Sequence, residues 1–172
     1  AQSINAGDIL VTLSFLALHD LAATQPPQII NLASRTLQQT CLRLTEGQYL
    51  DISYENRDSL ALDEYWPMIG GKTSALLSAC THIGALLGNA GEAEQESYRQ
   101  FGYHLGLAFQ VQDDILGIWG DEAITGKSTA SDLVEGKNSL PVLYALGKQG
   151  KFAKRWKQGP ITNAEVKAVA AM

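Results

Sequence analysis

The chain has 172 residues, of which 45% are hydrophobic and 18% charged, a composition typical of a globular domain with a real core. The formal net charge is -5 and no basic run occurs, which argues against a nucleic-acid partner. Cys41 and Cys80 lack the close spacing of a metal-binding or redox pair, so we expect two reduced core thiols in a cytoplasmic protein.

An apolar run from Ile9 to Leu18 opens the chain and is interrupted by Thr12 and Ser14. It is shorter than the roughly 20 residues that a membrane-spanning helix needs. No basic segment precedes it, so the sequence predicts no signal peptide. We therefore interpret the run as a core helix and expect no transmembrane segment. Because the chain starts within structured-looking sequence, without an initiator Met, we expect it to be a fragment of something longer.

The next helix is predicted to open at Pro27, after the break at Pro26, and to continue to Asp51. Gly47 and Asp51 lie four residues apart and therefore on one helical face. A glycine inside a helix costs roughly 1 kcal/mol relative to alanine. We therefore expect Gly47 to allow either close helix packing or access for a ligand.

A second break is predicted at Gly70-Gly71, between a helical segment over 62–69 and an apolar helix over 76–87. Lys72 and Thr73 follow this break at the mouth of the later helix. They could simply be solvated. They could equally offer an ammonium, a hydroxyl and helix-start N–H groups to a phosphate.

The most informative helix is predicted to begin near Glu92, where acidic residues favour a helix start. One face of it combines small residues, an amide and two acids: Tyr103, Gly106, Gln110, Asp113, Asp114 and Gly117. Such a composition is typical of a cavity lining, whereas a second face with Phe101, Leu105, Ala108 and Ile115 is predicted to be ordinary core. Two adjacent carboxylates at the interior need a cation or strong donors, so Asp113 and Asp114 predict a divalent metal site. The alternative is a solvated acidic stripe.

A loop is predicted from Trp119 to Asn138, where helical periodicity is lost. It contains the pairs Gly126-Lys127 and Gly136-Lys137 around Asp132. Each lysine taken alone could be only a solvated charge, but directly after the diacid helix they favour a Mg²⁺-bridged phosphate. Further helices are predicted after Pro141, over 151–157 and over 162–171, the last with a capping-box spacing.

Several motifs resemble the second aspartate-rich region of the trans-polyprenyl diphosphate synthases: Phe109-Gln-Val-Gln-Asp-Asp114, Gly120-Asp121, Thr125-Gly-Lys127, Asp132 and Gly136-Lys137 before Ser139-Leu-Pro141. Upstream elements follow the order and approximate spacing of the same family: Asn5-Ala-Gly-Asp8, Gly47-Gln48 with Asp51, and Lys72-Thr73. The resemblance covers nearly the whole chain. It is specific because separated elements agree, whereas any one of them alone would be worthless.

This resemblance implies an all-α fold, an antiparallel helical bundle of the isoprenoid synthase type around a central cavity. It also implies a single domain over residues 1–172, the C-terminal part of a synthase that is usually a homodimer. The family ionises an allylic prenyl diphosphate and joins it to isopentenyl diphosphate with the help of Mg²⁺, giving a linear all-trans prenyl diphosphate.

Site residues follow from the resemblance position by position. Asp113 and Asp114 would hold Mg²⁺. The diphosphate would pair with three lysines: Lys72, Lys127 and Lys137. The catalytic residues would be Lys72, Thr73 and Gln110, with Thr73 and Gln110 at the reaction end of the allylic substrate.

Two departures from the family pattern bear on this assignment. The second motif usually reads DDxxD, and here Gly117 stands at its fifth position, so we expect Asp113 to be the main metal ligand. The first DDxxD motif, the arginine pair and the basic residues that bind isopentenyl diphosphate would precede Ala1. We therefore expect an N-terminally truncated chain that is inactive by itself.

Three functions remain open at this point. The first is a prenyltransferase of the geranylgeranyl or farnesyl type. The second is a truncated, non-catalytic regulatory or dimerising subunit of the same fold. The third is a class I terpene cyclase, although Ser131-Asp-Leu-Val-Glu135 does not fit the NDxxSxxxE metal motif that such a cyclase needs.

Overall fold

The computed structural model describes residues 2–55, 57, 60–126 and 130–172. Every regular element in these ranges is helical. The helices are α1 (Gln2–Asp20), α2 (Pro27–Glu55), α3 (Leu62–Ile69), α4 (Ala75–Leu87), α5 (Glu92–Trp119), α6 (Glu122–Thr125), α7 (Ser131–Val134), α8 (Leu140–Gly147), α9 (Lys151–Trp156) and α10 (Val166–Ala170). A 3-10 turn over Leu21–Ala23 follows α1, and a π-helical turn over Gly70–Ser74 joins α3 to α4.

Local start signals place several of these helices where the sequence predicts them. Pro27 opens α2 and Pro141 lies in the first turn of α8, positions where a missing backbone N–H costs little. At the start of α5, the Gly91 N–H donates to the Glu94 carboxylate at 3.1 Å. The long loop predicted over 119–138 is wrong in part, because α6 and α7 form short helices within it.

The helices meet around two apolar clusters that frame the carboxyl end of α5. The first joins α2, α3 and α8 through Tyr54, Tyr65, Met68, Ile69 and Leu143. The second holds α7 to α10 against Ile118 through Ala130, Leu133, Val142, Phe152, Ile161, Val166 and Val169. Upstream, α4 packs against both α2 and α5. The end of α5 that carries the two acids is therefore held from both sides.

Two faces predicted to be core are exposed. On α1 only Leu18 is buried, and Ile9, Leu13 and Leu16 each expose half or more of their surface. The described helices cover α1 only near Leu18, which packs with buried residues of α2 and α4. The second predicted core face of α5 is likewise open, with Phe101 58% exposed. The free cysteines are not buried core residues either, since Cys80 is exposed and Cys41 is only half-buried.

The first helical segment is longer than the apolar run alone indicates. Together α1 and its 3-10 turn form 22 continuous residues, Gln2–Ala23, with a mean hydropathy of 1.4. This segment is long and apolar enough to cross a membrane, so the prediction that the apolar run is too short for a membrane-spanning helix is wrong. Core helices of soluble proteins and signal sequences share these two properties, which makes length and composition weak evidence for a membrane span.

An ion pair joins α9 to the start of α10 near the carboxyl-terminal end of the chain. Arg155 donates to both oxygens of Glu165, at 2.9 and 2.6 Å, and to the carbonyls of Gly159 and Pro160. Glu165 also accepts the Thr162 N–H at 3.0 Å, the capping contact that their spacing predicts. The hydrogen bonds from Arg155 and then from Thr162 lower the pKa of Glu165 to about 2.

We expect Glu165→Gln to remove part of the acid dependence of stability. A depressed folded-state pKa stabilises the fold above the unfolded-state value of about 4.3 and loses that effect as the pH falls towards the folded value. The loss in unfolding free energy relative to wild type should therefore be larger at about pH 6 than at about pH 3. Urea unfolding at both pH values measures it, with Asp20→Asn as an exposed control. An equal loss at both pH values would contradict the assignment.

Candidate active site

A cavity of about 130 Å³ opens between α2, α3, α5 and the segment that precedes α8. Its charged lining residues are Asp51, Glu55, Lys72, Asp113, Asp114, Asp132 and Lys137. Gln110 lines it as well, and apolar side chains from α3 complete the wall. Among the predicted site residues, Thr73 reaches this cavity through Gln110. Lys127 lies outside the described residues.

The predicted break before Lys72 is wrong, because Gly70–Ser74 is a π-helical turn that continues helical hydrogen bonding. The Ala75 N–H, for example, donates to the Gly70 carbonyl. Lys72 and Thr73 therefore do not sit at a free helix start. The Lys72 ammonium instead donates to the Asp51 carboxylate of α2, and this ion pair holds it on the cavity wall.

Gly47 lets α2 approach this π-helical turn. A β-carbon at Gly47 would lie only 2.1 Å from the Lys72 backbone nitrogen. Of the two alternatives that the sequence leaves open, the structure therefore shows close packing. This contact brings Asp51, one turn later on α2, close enough to accept a hydrogen bond from Lys72.

We expect Gly47→Ala to destabilise the protein by about 1–3 kcal/mol, because backbone atoms must separate to admit the methyl group. The matched control is Gly84→Ala on α4, where an added β-carbon meets nothing within 4 Å. That change should stabilise the helix by about 0.5–1 kcal/mol. Chemical denaturation of both variants measures the difference, and a Gly47→Ala protein as stable as Gly84→Ala would contradict the packing argument.

Asp114 is 6% exposed and its carboxylate accepts three hydrogen bonds. The Tyr65 hydroxyl and the Leu140 N–H both donate to Oδ2 at 2.7 Å, and Gln110 Nε2 donates to Oδ1 at 2.9 Å. Gln110 Oε1 in turn accepts from the Thr73 hydroxyl at 2.7 Å. One carboxylate thus connects α3, α5, α8 and the π-helical turn.

Tyr65 contributes to this network as a stable donor. Burial, followed by the charge of Asp114 and their hydrogen bond, raises the pKa of the Tyr65 hydroxyl well above its ordinary value. The phenol therefore stays protonated at neutral pH. Tyr65 was not among the predicted site residues, because its partner lies 49 residues away along the chain and no local pattern links them.

Lys137 is held beside the cavity by two acids. Its ammonium lies 2.8 Å from Glu135 and 3.3 Å from Asp132. Burial lowers the pKa of Lys137, but the hydrogen bond with Glu135 and the charge of Asp132 raise it above the ordinary lysine value overall. The residue therefore remains a cation at neutral pH.

Gly117, at the fifth position of the aspartate motif, lies against the carboxylate of Asp132. A β-carbon at Gly117 would come within 2.2 Å of Asp132 Oδ2. Asp132 is itself buried, with 6% of its surface exposed. The acid group from α7 therefore occupies the space that a side chain at position 117 would need.

This contact predicts that Gly117→Asp, which restores the usual DDxxD pattern, is harmful. A second carboxylate would clash with Asp132 and repel it, at a cost of about 1–3 kcal/mol from overpacking alone. Gly7→Asp is the control, since an added β-carbon there meets nothing within 4 Å. Thermal unfolding measures both. A Gly117→Asp protein that is as stable as the Gly7→Asp protein would contradict the steric argument.

Ser139 is a further polar residue of the cavity that the sequence analysis did not single out. The residue is 6% exposed, and its hydroxyl has no hydrogen-bond partner among the described residues. A buried polar atom without a partner is costly, which points to a ligand oxygen or an ordered water at this place. The signal available in the sequence was its position just before the first turn of α8, where helices often take a polar residue.

Comparison with known proteins identifies the family. The family model described as polyprenyl synthetase matches residues 1–172. The chain belongs to the polyprenyl synthetase family. A geranylgeranyl diphosphate synthase of Mycobacterium tuberculosis is 44% identical over 70% of this chain and 35% of its own length. A (2E,6E)-farnesyl diphosphate synthase of Mycobacterium bovis is 38% identical over 90% of this chain and 42% of its own length.

Solved structures of the polyprenyl synthetase family share the fold. A polyprenyl synthetase from Streptomyces coelicolor A3(2) has a TM-score of 0.84 at 40% identity, covering 99% of this chain and 53% of its own. A geranylgeranyl pyrophosphate synthase from Corynebacterium glutamicum, complexed with isoprenyl diphosphate and magnesium, has a TM-score of 0.83 at 27% identity, covering 98% and 48%. The predicted all-α isoprenoid synthase fold is confirmed. The chain spans 35–42% of the length of the two curated relatives and about half of the two solved structures.

Proposed function

We propose that the protein containing this chain is a prenyltransferase. It condenses an allylic prenyl diphosphate with isopentenyl diphosphate, yields a linear all-trans prenyl diphosphate and releases diphosphate. The observation that carries the proposal is a cavity in which Lys72 and Lys137, from two separate segments, meet Asp113 and Gln110 of α5. Membership of the polyprenyl synthetase family supports it.

The lysines are suited to bind a leaving diphosphate. Lys72 and Lys137 are each held by carboxylates at the cavity wall. A bound diphosphate is an alternative partner for both ammonium groups, which stabilise negative charge as it develops on the leaving group. The buried Ser139 hydroxyl is a further donor to the same anion. We assign Lys127 the same role from the resemblance alone.

The donor set fits Mg²⁺ that is shared with a substrate. The described residues contain no group of three or more His, Cys, Asp or Glu side chains that could hold a metal by themselves. Mg²⁺ at phosphate sites usually takes only one or two protein carboxylates, together with substrate phosphates and waters. Asp113, half-buried on the cavity wall, is the principal ligand in this proposal. When bound, Mg²⁺ neutralises charge on the departing diphosphate.

We expect Asp113→Ala in the intact protein to reduce turnover by about 10²–10³-fold, because one stabiliser of the leaving diphosphate is removed. Product formation from isopentenyl diphosphate and allylic diphosphates of different lengths measures this effect. Asp20→Ala, an exposed acid at the end of α1, is the control for loss of one negative charge. Near-normal activity of Asp113→Ala at saturating Mg²⁺ would refute the metal assignment.

The same assay separates the other functions. An intact protein that binds allylic diphosphates without turnover supports the non-catalytic subunit, and a cyclic hydrocarbon product supports the terpene cyclase. The product range distinguishes a geranylgeranyl from a farnesyl type.

A cytoplasmic homodimer built on one domain over residues 1–172 belongs to the same proposal, and light scattering after size exclusion tests the dimer.

A further inference from the structure

Asp114 and Asp113 are neighbours in sequence, yet the network around Asp114 points to a different task. A carboxylate offers about four lone-pair directions, and three of them at Asp114 accept from Tyr65, Leu140 and Gln110. The group is almost completely buried. Only one lone-pair direction, on Oδ1, is left for any other group. A metal in any other position would displace a donor and leave a buried polar group without a partner, which is costly.

The network also has a direction. An ionised carboxylate only accepts hydrogen bonds, so Gln110 must turn its Nε2 towards Asp114 and its Oε1 away from it. Gln110 Oε1 likewise only accepts, so the Thr73 hydroxyl must donate its single hydrogen to it. What Thr73 Oγ1 retains for any other group is a pair of acceptor positions.

We propose that Asp114 is a positioning residue that sets the direction of the chain Asp114–Gln110–Thr73, and that it is not a metal ligand. The proposal rests on the proposed prenyltransferase function. A Thr73 hydroxyl held in this way presents electron density, and not a proton, to an approaching cation. Asp114 thereby acts on an approaching positive charge without touching it, through the intervening side chains of Gln110 and Thr73.

One atom change reverses this chain without changing its volume. In Asp114→Asn the amide oxygen must still serve Tyr65 and Leu140, so its NH₂ group faces Gln110. Gln110 then turns its Oε1 to that amide and its Nε2 to Thr73. The Thr73 hydroxyl becomes an acceptor towards Gln110, and its hydrogen is free to point elsewhere.

The test uses the intact protein with the variants Asp114→Asn, Asp113→Asn, Thr73→Val and the double variant Asp114→Asn/Thr73→Val. Calorimetry with Mn²⁺ and inorganic diphosphate should show binding weakened at least about tenfold in Asp113→Asn and changed by less than about threefold in Asp114→Asn. Turnover should fall at least about 30-fold in Asp114→Asn. The turnover of the double variant should lie within about threefold of that of Thr73→Val, because both changes disable the same hydrogen-bonded series of side chains.

Two further measurements test the proposal without the Asp114→Asn variant, in case that protein does not fold. Gln110→Leu interrupts the chain while Tyr65 and Leu140 keep their acceptor, and it should also be non-additive with Thr73→Val. Hydrogen exchange at the Leu140 amide, without metal or substrate, should accelerate in Asp114→Ala and stay unchanged in Asp113→Ala. Three results would overturn the proposal. They are an equal loss of Mn²⁺ affinity in Asp113→Asn and Asp114→Asn, a turnover loss in the double variant equal to the product of the two single losses, and unchanged hydrogen exchange at the Leu140 amide in Asp114→Ala.

Failure of the proposed function is distinguishable from failure of this inference. If the unsubstituted protein converts no allylic diphosphate, the prenyltransferase proposal fails. Mn²⁺ binding and Leu140 exchange still decide the role of Asp114 in that case. If the unsubstituted protein is active and Asp114→Asn behaves as Asp113→Asn does, only the inference fails.

Discussion

The site depends on burying one carboxylate. Removing an ionised group from water is expensive unless hydrogen bonds replace its hydration, and Asp114 meets this requirement with donors from three separate elements. The Leu140 N–H is one of the amides that a helix start leaves without an internal partner, so the same contact caps α8. The cost of leaving Asp114 unsatisfied therefore ties the positions of α3, α5 and α8 to one another.

Charge around the cavity is arranged in opposing pairs. Lys72 is held by Asp51, and Lys137 by Asp132 and Glu135, so each ammonium already has a defined position. Preorganised charges stabilise an anion without the reorganisation that water would require. Each pair needs a glycine beside it. Gly47 lets α2 approach the backbone of Lys72, and Gly117 leaves the space that the Asp132 carboxylate occupies.

Local patterns predicted much of this arrangement. Proline and acidic residues marked the starts of α2, α5 and α8 because these signals act within one helical turn. The periodicity of α5 correctly grouped Gln110 with the two acids. Periodicity reports that a face is apolar but not what covers it, which is why the exposed faces of α1 and α5 were predicted wrongly. Tyr65 and the space around Gly117 depend on contacts distant in sequence, and no local pattern contains them.

The π-helical turn has a consequence for how this protein tolerates change in length. It makes α3 and α4 one continuous helical rod with widened geometry over Gly70–Ser74. Tyr65 lies before the turn and Thr73 within it, and both reach side chains of the same helix, α5. One residue corresponds to about 100° of helical rotation. Inserting a further residue would therefore carry Tyr65 or Thr73 to another side of the rod. Losing one residue is absorbed more easily, because the turn then closes from i→i−5 to α-helical i→i−4 hydrogen bonds, so this turn restricts gain of length more than loss.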